Sequence, residues 1–141
     1  MTLIDHYLDK YNLELTEDSG REVARVKDLF YTHTGVIMGR NKYSKEKMIF
    51  HNHPTSGPAL DTMKNYEKGR RCTYTAGPSD SWDQVLLRSF NQLESGAEYK
   101  LMSYNCQDAT SISRTGSTGS YGRTNTFGAL ALLAIFAMIA K

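Results

Sequence analysis

Residues 31–54 read YTHTGVIMGRNKYSKEKMIFHNHP, a polar centre between two runs of strand-forming residues. Val, Ile, Phe, Tyr and Thr favour pleated, half-buried strands, and Pro54 ends the second run. The Gly-Arg-Asn triplet between the runs is typical of a turn. The stretch therefore predicts an antiparallel hairpin with its tip around residues 40–46, and the first extended segment begins as far back as Arg21.

Segments on both sides of the hairpin carry apolar residues at helical spacing. Residues 3–15 carry one such stripe, and residues 79–96 carry another, with Ser79 or Ser81 as its cap. Residues 70–77, RRCTYTAG, are a possible third strand. These elements predict an α+β fold in which an antiparallel sheet packs against helices.

The totals indicate one ordinary domain with no strong charge preference. The chain has 141 residues and a formal net charge of +2, so neither nucleic acid nor an acidic substrate is indicated as a partner. Its two cysteines, Cys72 and Cys106, do not make a disulfide framework, which indicates free thiols in a reducing, cytoplasmic compartment. The N-terminal residues are too acidic and too polar for a secretory signal.

Cys106 is the first candidate for chemistry. Asn105 is a good helix N-cap, which places Cys106 in the first helical turn together with Asp108. Unpaired backbone N–H groups and the helix dipole stabilise a thiolate at that position, and the thiolate is the nucleophilic form. The alternative is a buried cysteine that serves as a small apolar side chain.

Two histidines of the hairpin are candidates to assist the thiol. His33 shares one strand face with Gly35 and Ile37, and His51 lies on the antiparallel neighbour, where side chains approach to about 5 Å. A second imidazole can hold the first in its working tautomer, as the third member of a cysteine–histidine triad does. The alternative is that both histidines are packed core residues.

Zinc is a further alternative for the same side chains. The ligands would come from five residues, His33, His51, His53, Cys72 and Cys106. Their spacing matches no recognised ligand pair, so we predict neither a metal nor any other cofactor.

Four segments in order, YTHTGVIMG, IFHNHP, SDSWDQVLLRSFNQL and YKLMSYNCQDATSISRTG, resemble the lecithin:retinol acyltransferase-like family, also called the H-box/NC family. This family is a permuted relative of the NlpC-type papain-like peptidases. The resemblance covers about residues 21–116 and rests on the order His-x-Gly, His-x-x-Pro, Asn-Cys. It implies a permuted papain-like thiol hydrolase fold.

The resemblance also implies roles for individual residues. Cys106 would be the nucleophile, His33 the general base and acid, and His51 the residue that orients His33. The thiolate would attack an ester or amide carbonyl and form an acyl-thioester, which water, an alcohol or an amine would then release.

Residues beside the thiol are candidates to contact the substrate or its oxyanion, namely Tyr104, Asn105 and Gln107, together with the backbone N–H groups of the helix start. Tyr104 has an open alternative, which is to pack beneath the site. Gln107 and Asp108 stand where animal members of the family usually have Glu-His, and the loop between the histidines is longer here. The longer loop is a departure from the family that bears on substrate specificity.

The C-terminal region differs from the rest of the chain. Residues 1–116 would form the catalytic domain, residues 117–126 a flexible linker, and residues 127–141 a hydrophobic tail that forms a helix. The apolar run 127–140 would be about 21 Å long as a helix. Its fourteen residues are fewer than the ~20 that a full membrane span needs. It could anchor the chain, dock on the domain or another copy, or lie at the membrane interface. Family members often carry such an anchor, so the resemblance favours membrane association.

Three functions remain open from the sequence. The first is a membrane-associated acyltransferase or phospholipase A that acts on phospholipid or other acyl esters. The second is a peptidase or amidase that acts on cell-wall peptides, as in the NlpC-type relatives. The third is a non-enzymatic interaction protein of the type found among viral H-box/NC proteins.

Overall fold

The computed structural model describes residues 1–28, 31–75, 79–100 and 104–117. In chain order the elements are α1 (Leu3–Lys10), β1 (Leu13–Glu14), β2 (Glu22–Asp28), β3 (Tyr31–Asn41), β4 (Lys47–His53), β5 (Gly57–Thr62), α2 (Met63–Glu67), β6 (Cys72–Thr75), α3 (Trp82–Glu94) and α4 (Cys106–Thr115). The architecture is α+β, an antiparallel sheet packed against helices, as the sequence predicts.

The sheet is built around β3. Its strand order is β5-β4-β3-β2-β6, and β1 pairs with the C-terminal end of β3. The predicted hairpin is confirmed as β3–β4, and its turn closes with a hydrogen bond from the Asn41 backbone N–H to the Glu46 carbonyl at 2.8 Å. The predicted third strand is confirmed as β6, which pairs with β2.

Two predicted boundaries are wrong. The extended stretch 21–39 is divided between β2 and β3, which pair with each other so that Val23 lies opposite Gly35. The composition hides this division because both strands are rich in the same strand-forming residues. The N-terminal helix ends at Lys10 rather than near residue 15, because Asn12 adopts a left-handed conformation with φ of 56° and the chain then enters β1.

The two faces of the sheet carry separate hydrophobic clusters. The larger cluster joins one face to α1, α3 and α4, and its buried members are Leu8, Leu13, Val36, Met38, Phe50, Val85, Leu86, Phe90 and Ala109. The smaller cluster covers the other face beneath α2, and its buried members are Val23, Ile37, Ile49 and Tyr66. The helices that position the predicted site therefore lie on both faces.

Helix α3 confirms the second helical prediction. It begins after Ser81 as the N-cap residue, and Val85, Leu86 and Phe90 of its predicted stripe have no exposed surface. Burial of such side chains is worth about 2 kcal/mol each, so the stripe fixes α3 on the sheet.

The predicted linker and hydrophobic tail, apart from Ser117, lie outside the residues that the structure describes. In the described ranges, none of the helices has the length and apolar character that a membrane crossing needs.

Candidate active site

Cys106 is the first residue of α4, and Asn105 is the N-cap, as predicted. The Asn105 side-chain oxygen accepts hydrogen bonds from the backbone N–H groups of Gln107 at 2.9 Å and Asp108 at 3.0 Å. In return the Asp108 carboxylate accepts the Asn105 backbone N–H at 3.0 Å, which completes a capping box. The cap holds the thiol at the positive end of the helix, and it also occupies the Gln107 N–H that the sequence offered to an oxyanion.

Cys106 is held against β3 by the residues on either side of His33. The Thr34 hydroxyl donates to the Cys106 carbonyl at 3.2 Å, and the Cys106 Sγ lies 3.9 Å from the Thr32 carbonyl oxygen. The Thr110 hydroxyl donates to the same Cys106 carbonyl at 2.9 Å from one turn further along α4. The thiol therefore lies at the level of His33 on the strand, and it has no exposed surface.

Strand β4 holds the same segment through Asn52. This residue is fully buried, and its side-chain amide donates to the Tyr104 carbonyl at 2.9 Å. The register between β3 and β4 ends at Gly35 and His51, just before these contacts. Residues 104–106 consequently join the two strands at the point where their pairing stops.

The structure brings the two predicted histidines together. The His33 Nε2 lies 2.7 Å from the His51 Nδ1, and the rings are perpendicular with centroids 5.0 Å apart. The side chains are 2% and 4% exposed, so this hydrogen bond is shielded from water. In the register His51 lies opposite Gly35, two residues along β3 from His33, and the glycine leaves room for the two rings to meet.

The imidazoles and helix α4 reach this place from different sides of the sheet. The His33 and His51 rings lie beside Tyr66 of α2, whereas the Thr34 side chain contacts α4. Successive residues of a strand point to opposite faces, which explains the separation of His33 from Thr34. The candidate site is therefore centred on the end of the β3–β4 pairing rather than on one face.

Tyr66 is a site residue that the sequence did not indicate. Its ring centroid lies 5.5 Å from those of both His33 and His51. Its hydroxyl lies 2.5 Å from the His33 carbonyl, to which it donates, and 3.1 Å from the Val23 carbonyl. Burial raises the pKa of the Tyr66 hydroxyl, and the negative charge of a Cys106 thiolate raises it further. Tyr66 therefore stays neutral and fixes the backbone of His33.

Gly35 is required by the close packing around the two histidines. A Cβ atom at this position would lie 2.7 Å from the Phe50 carbonyl oxygen, 2.8 Å from the Ile49 Cγ2 and 3.3 Å from the Tyr66 ring. Real Cβ atoms do not approach backbone oxygens this closely, so a larger residue would displace either the strand or Tyr66.

Arg25 supports Tyr66 from strand β2. It lies opposite His33 in the register, it is 7% exposed, and its guanidinium donates to the Tyr66 carbonyl at 2.5 Å. The guanidinium also lies 5.5 Å from the centre of the Tyr66 ring, within cation–π range. A buried positive charge thus lies next to the residue that packs on both imidazoles.

His51 is buried as a neutral ring. Burial lowers the pKa of His51 to about 4, an effect that Asp61 partly offsets and His53 reinforces. The Asp61 Oδ2 lies 3.5 Å from the His51 Nε2. At neutral pH His51 therefore carries a single N–H, and the ring nitrogen that bears it decides which of its two neighbours receives a hydrogen bond.

Tyr104 is tied to α3. Its hydroxyl donates to the Gln92 Oε1 at 2.6 Å, and its carbonyl accepts from Asn52. Burial raises the pKa of Tyr104 to about 12, and the nearby Asp108 carboxylate adds to this effect. The single hydroxyl proton is thus engaged in packing the Asn-Cys segment on α3.

Four residues of this arrangement were not found from the sequence: Asn52, Tyr66, Arg25 and Asp61. Asn52 lies between the two histidines of HNHP, so its neighbourhood was evident but its contact with residue 104 was not. Tyr66 and Asp61 belong to α2 and β5, two short elements inside residues 55–80, which are rich in Gly, Pro and polar residues. No periodic signal exists in a five-residue helix.

Across the described ranges, no three or more His, Cys, Asp or Glu side chains are arranged to hold a metal ion. Cys72 is half-buried, and burial raises the pKa of its thiol, with the Glu67 carboxylate contributing.

No protein-family model matches the sequence, and no curated protein matches it either.

Proposed function

We propose that this chain is a cysteine-dependent acyl-transfer enzyme in which Cys106 is the nucleophile and His33 the general base and acid. One observation carries the proposal: the residues on either side of His33 hold Cys106, while the His33 Nε2 bonds a second imidazole. A helix N-terminus beneath the thiol adds a positive field that favours a thiolate.

The proposed reaction begins with proton transfer from the Cys106 Sγ to the His33 Nδ1, since Nε2 is engaged with His51. The thiolate attacks the carbonyl carbon, and the tetrahedral intermediate expels an alcohol or amine, which takes the proton from His33. The products of this half-reaction are an acyl-thioester on Cys106 and the leaving group. Water or another acceptor then attacks the thioester while His33 removes its proton, and the thiol is regenerated.

The finer assignments come from the resemblance to the H-box/NC family. They are the permuted papain-like fold, a lipid ester as substrate, and membrane association through a C-terminal hydrophobic helix over residues 127–140. Support for the fold comes from the neighbouring antiparallel strands that bear His33 and His51, and from the capped helix that begins at Cys106.

A second candidate is a non-enzymatic interaction protein with the same architecture. The observation that favours it is the complete burial of Cys106, because a nucleophile must meet its substrate. The two candidates predict different fates for the thiol in the presence of an ester.

An acyl adduct on Cys106 distinguishes them. The full chain would be incubated with phosphatidylcholine vesicles, and its intact mass and thiol-containing peptides would be measured. The proposal expects an added fatty-acyl mass on Cys106 in the natural protein and in Cys72→Ser, and none in Cys106→Ala. Absence of any adduct, with equal ester hydrolysis in all three proteins, would favour the non-enzymatic candidate.

A further inference from the structure

The buried nitrogen of His51 that faces away from His33 has a carboxylate beside it. The His51 Nε2 is fully enclosed, and within the described part of the chain no group accepts a well-formed hydrogen bond from it. The Asp61 Oδ2 lies 3.5 Å away, which is longer than a normal N–H···O bond but close enough for strong charge–dipole attraction. A buried ring N–H favours a nearby acceptor, and the Asp61 carboxylate is the acceptor beside this nitrogen.

Asp61 is held so that one particular oxygen faces the ring. It lies on β5, next to β4 in the sheet, at the point where β5 leads into α2. Its Oδ1 accepts the Thr62 backbone N–H at 2.9 Å and the Asn65 side-chain amide at 3.1 Å. With Oδ1 anchored by two donors, Oδ2 is the oxygen that faces His51.

The tautomer of His51 decides the tautomer of His33. If the His51 proton is on Nε2, its Nδ1 accepts a hydrogen bond from the His33 Nε2–H, and the His33 Nδ1 carries a lone pair. If the His51 proton is on Nδ1, it donates to the His33 Nε2, and a neutral His33 must carry its own proton on Nδ1. Only the first state leaves His33 able to take a proton from a thiol.

We propose that Asp61 is a positioning residue that keeps the His51 proton on Nε2 and thereby holds His33 in the tautomer of a base. The tautomer preference depends only on the contacts of Asp61 and His51. Its catalytic consequence rests on the proposed function.

The other groups around His51 do not reproduce this effect. Its polar and aromatic neighbours include His33, His53 and Tyr66, and the Arg25 guanidinium contributes a positive charge. Among the groups that act on the ring charge, Asp61 is the anion. A negative charge next to Nε2 also stabilises positive charge on the imidazole pair when the thiolate forms.

Asp61→Asn and Asp61→Ala separate a tautomer role from a structural one. In Asp61→Asn the amide oxygen still accepts from Thr62 and Asn65, so the amide NH₂ faces the His51 Nε2 and donates to it. The flipped amide would set NH₂ against the Thr62 N–H, which is itself a donor. Asp61→Ala loses the anchoring contacts but presents no wrong donor to His51.

Nitrogen-15 NMR of histidine-labelled protein at pH 7 reads the tautomer directly. We expect His51 to be protonated on Nε2 in the natural chain, on Nδ1 in Asp61→Asn, and as a mixture in Asp61→Ala. A His51 protonated on Nδ1 in the natural chain, or unchanged in Asp61→Asn, would overturn the inference. This readout requires no catalysis, so it decides the inference even if no acyl adduct ever forms on Cys106.

The rate of acylation provides the second readout. We expect it to fall about 10–100-fold in Asp61→Asn, which is the size of effect that follows loss of the partner of a metal-bound imidazole, and less in Asp61→Ala. Thermal unfolding should rank the two variants in the opposite order, with Asp61→Ala less stable than Asp61→Asn. The reason is that only the alanine variant loses the contacts with Thr62 and Asn65. If acylation instead followed stability, with the alanine variant the slower, Asp61 would be structural only.

Discussion

At the scale of single residues, the fold controls the charge of His51 through burial. Burial lowers the pKa of this imidazole to about 4, from the 6.5 of an exposed histidine. The folded state therefore resists protonation at His51, whereas the unfolded chain accepts a proton near pH 6.5. The stability that depends on the neutral ring is complete above pH 6.5 and is lost as the pH falls toward 4.

We therefore expect the free energy of unfolding to fall by about 3 kcal/mol between pH 6.5 and 4 because of this residue. Urea denaturation across that range measures the effect. His51→Gln, which keeps a neutral polar side chain, should show a flatter profile. Parallel profiles for the two proteins would mean that His51 does not enter the folded state as a neutral ring.

Tyr66 is the second residue with a sharply defined role. Tyr66→Phe removes only the hydroxyl that donates to the His33 carbonyl, so we expect a loss of about 1–2 kcal/mol in the free energy of unfolding. Tyr43→Phe is the matched control, since Tyr43 is 78% exposed and should change stability by less than about 0.5 kcal/mol. Equal effects of the two substitutions would contradict the role given to the Tyr66 hydroxyl.

At the scale of elements, the capped start of α4 determines where the thiol lies. The Asn105 side chain accepts two backbone N–H groups, and Asp108 returns the contact. We expect Asn105→Ala to lower the free energy of unfolding by about 1 kcal/mol, because the helix loses its cap.

The control is Asn105→Ser, which also caps helices and should retain most of the stability. Chemical denaturation monitored by far-ultraviolet circular dichroism would compare both with the natural chain. An alanine variant as stable as the serine variant would show that the cap does not hold α4 in place.

Some helices and strands could be predicted from the sequence and others could not. The β3–β4 hairpin, α3 and the Asn105 cap each carry a local signal in their own residues, and each was predicted. The division between β2 and β3 was not, because a pair of strands that bury the same kinds of side chain looks like one long strand. Strand β5, whose sequence is GPALDT, was missed because Gly, Pro and Asp are poor strand formers, and α2 was missed because five residues are too few to show helical periodicity. Asp61 and Tyr66, which lie on these two elements, were missed with them.

The candidate site was likewise predicted only where its residues carry a local sequence signal. The sequence indicated His33, His51 and Cys106 because their types and order carry information. It could not indicate Asn52 or Arg25, whose roles arise from contacts with residues about 50 and 40 positions further along the chain. Such contacts are set by tertiary packing rather than by neighbouring residues.

At the scale of the whole molecule, the site depends on both faces of the sheet at once. Helix α4 brings Cys106 from one face, and α2 brings Tyr66 against the histidines on the other. The sheet lies between the two hydrophobic clusters, and residues from both sides of the sheet meet at the end of the β3–β4 pairing. Loss of either helix should therefore disturb the site as well as the core.

The proposed membrane role of residues 127–140 belongs to this scale. We expect the full chain to float with phosphatidylcholine vesicles in a density gradient and a chain that ends at Ser117 to remain at the bottom, because the apolar run supplies the membrane affinity. Matching denaturation curves for residues 1–117 would confirm that the shortened chain is folded. Flotation of the shortened chain, or none of the full chain, would contradict the anchoring role.

The central claim is that Cys106 and His33 act as a pair. The most direct measurement is the alkylation rate of Cys106 by iodoacetamide as a function of pH, in Cys72→Ser protein with and without His33→Gln. The account predicts that the alkylation rate reaches half its maximum at a pH well below about 8.5, which is the ordinary pKa of a free thiol. It also predicts that this lowering of the half-maximal pH is lost in the His33 variant. A profile typical of an ordinary thiol that His33→Gln leaves unchanged, or a thiol that never reacts in the folded protein, would contradict it.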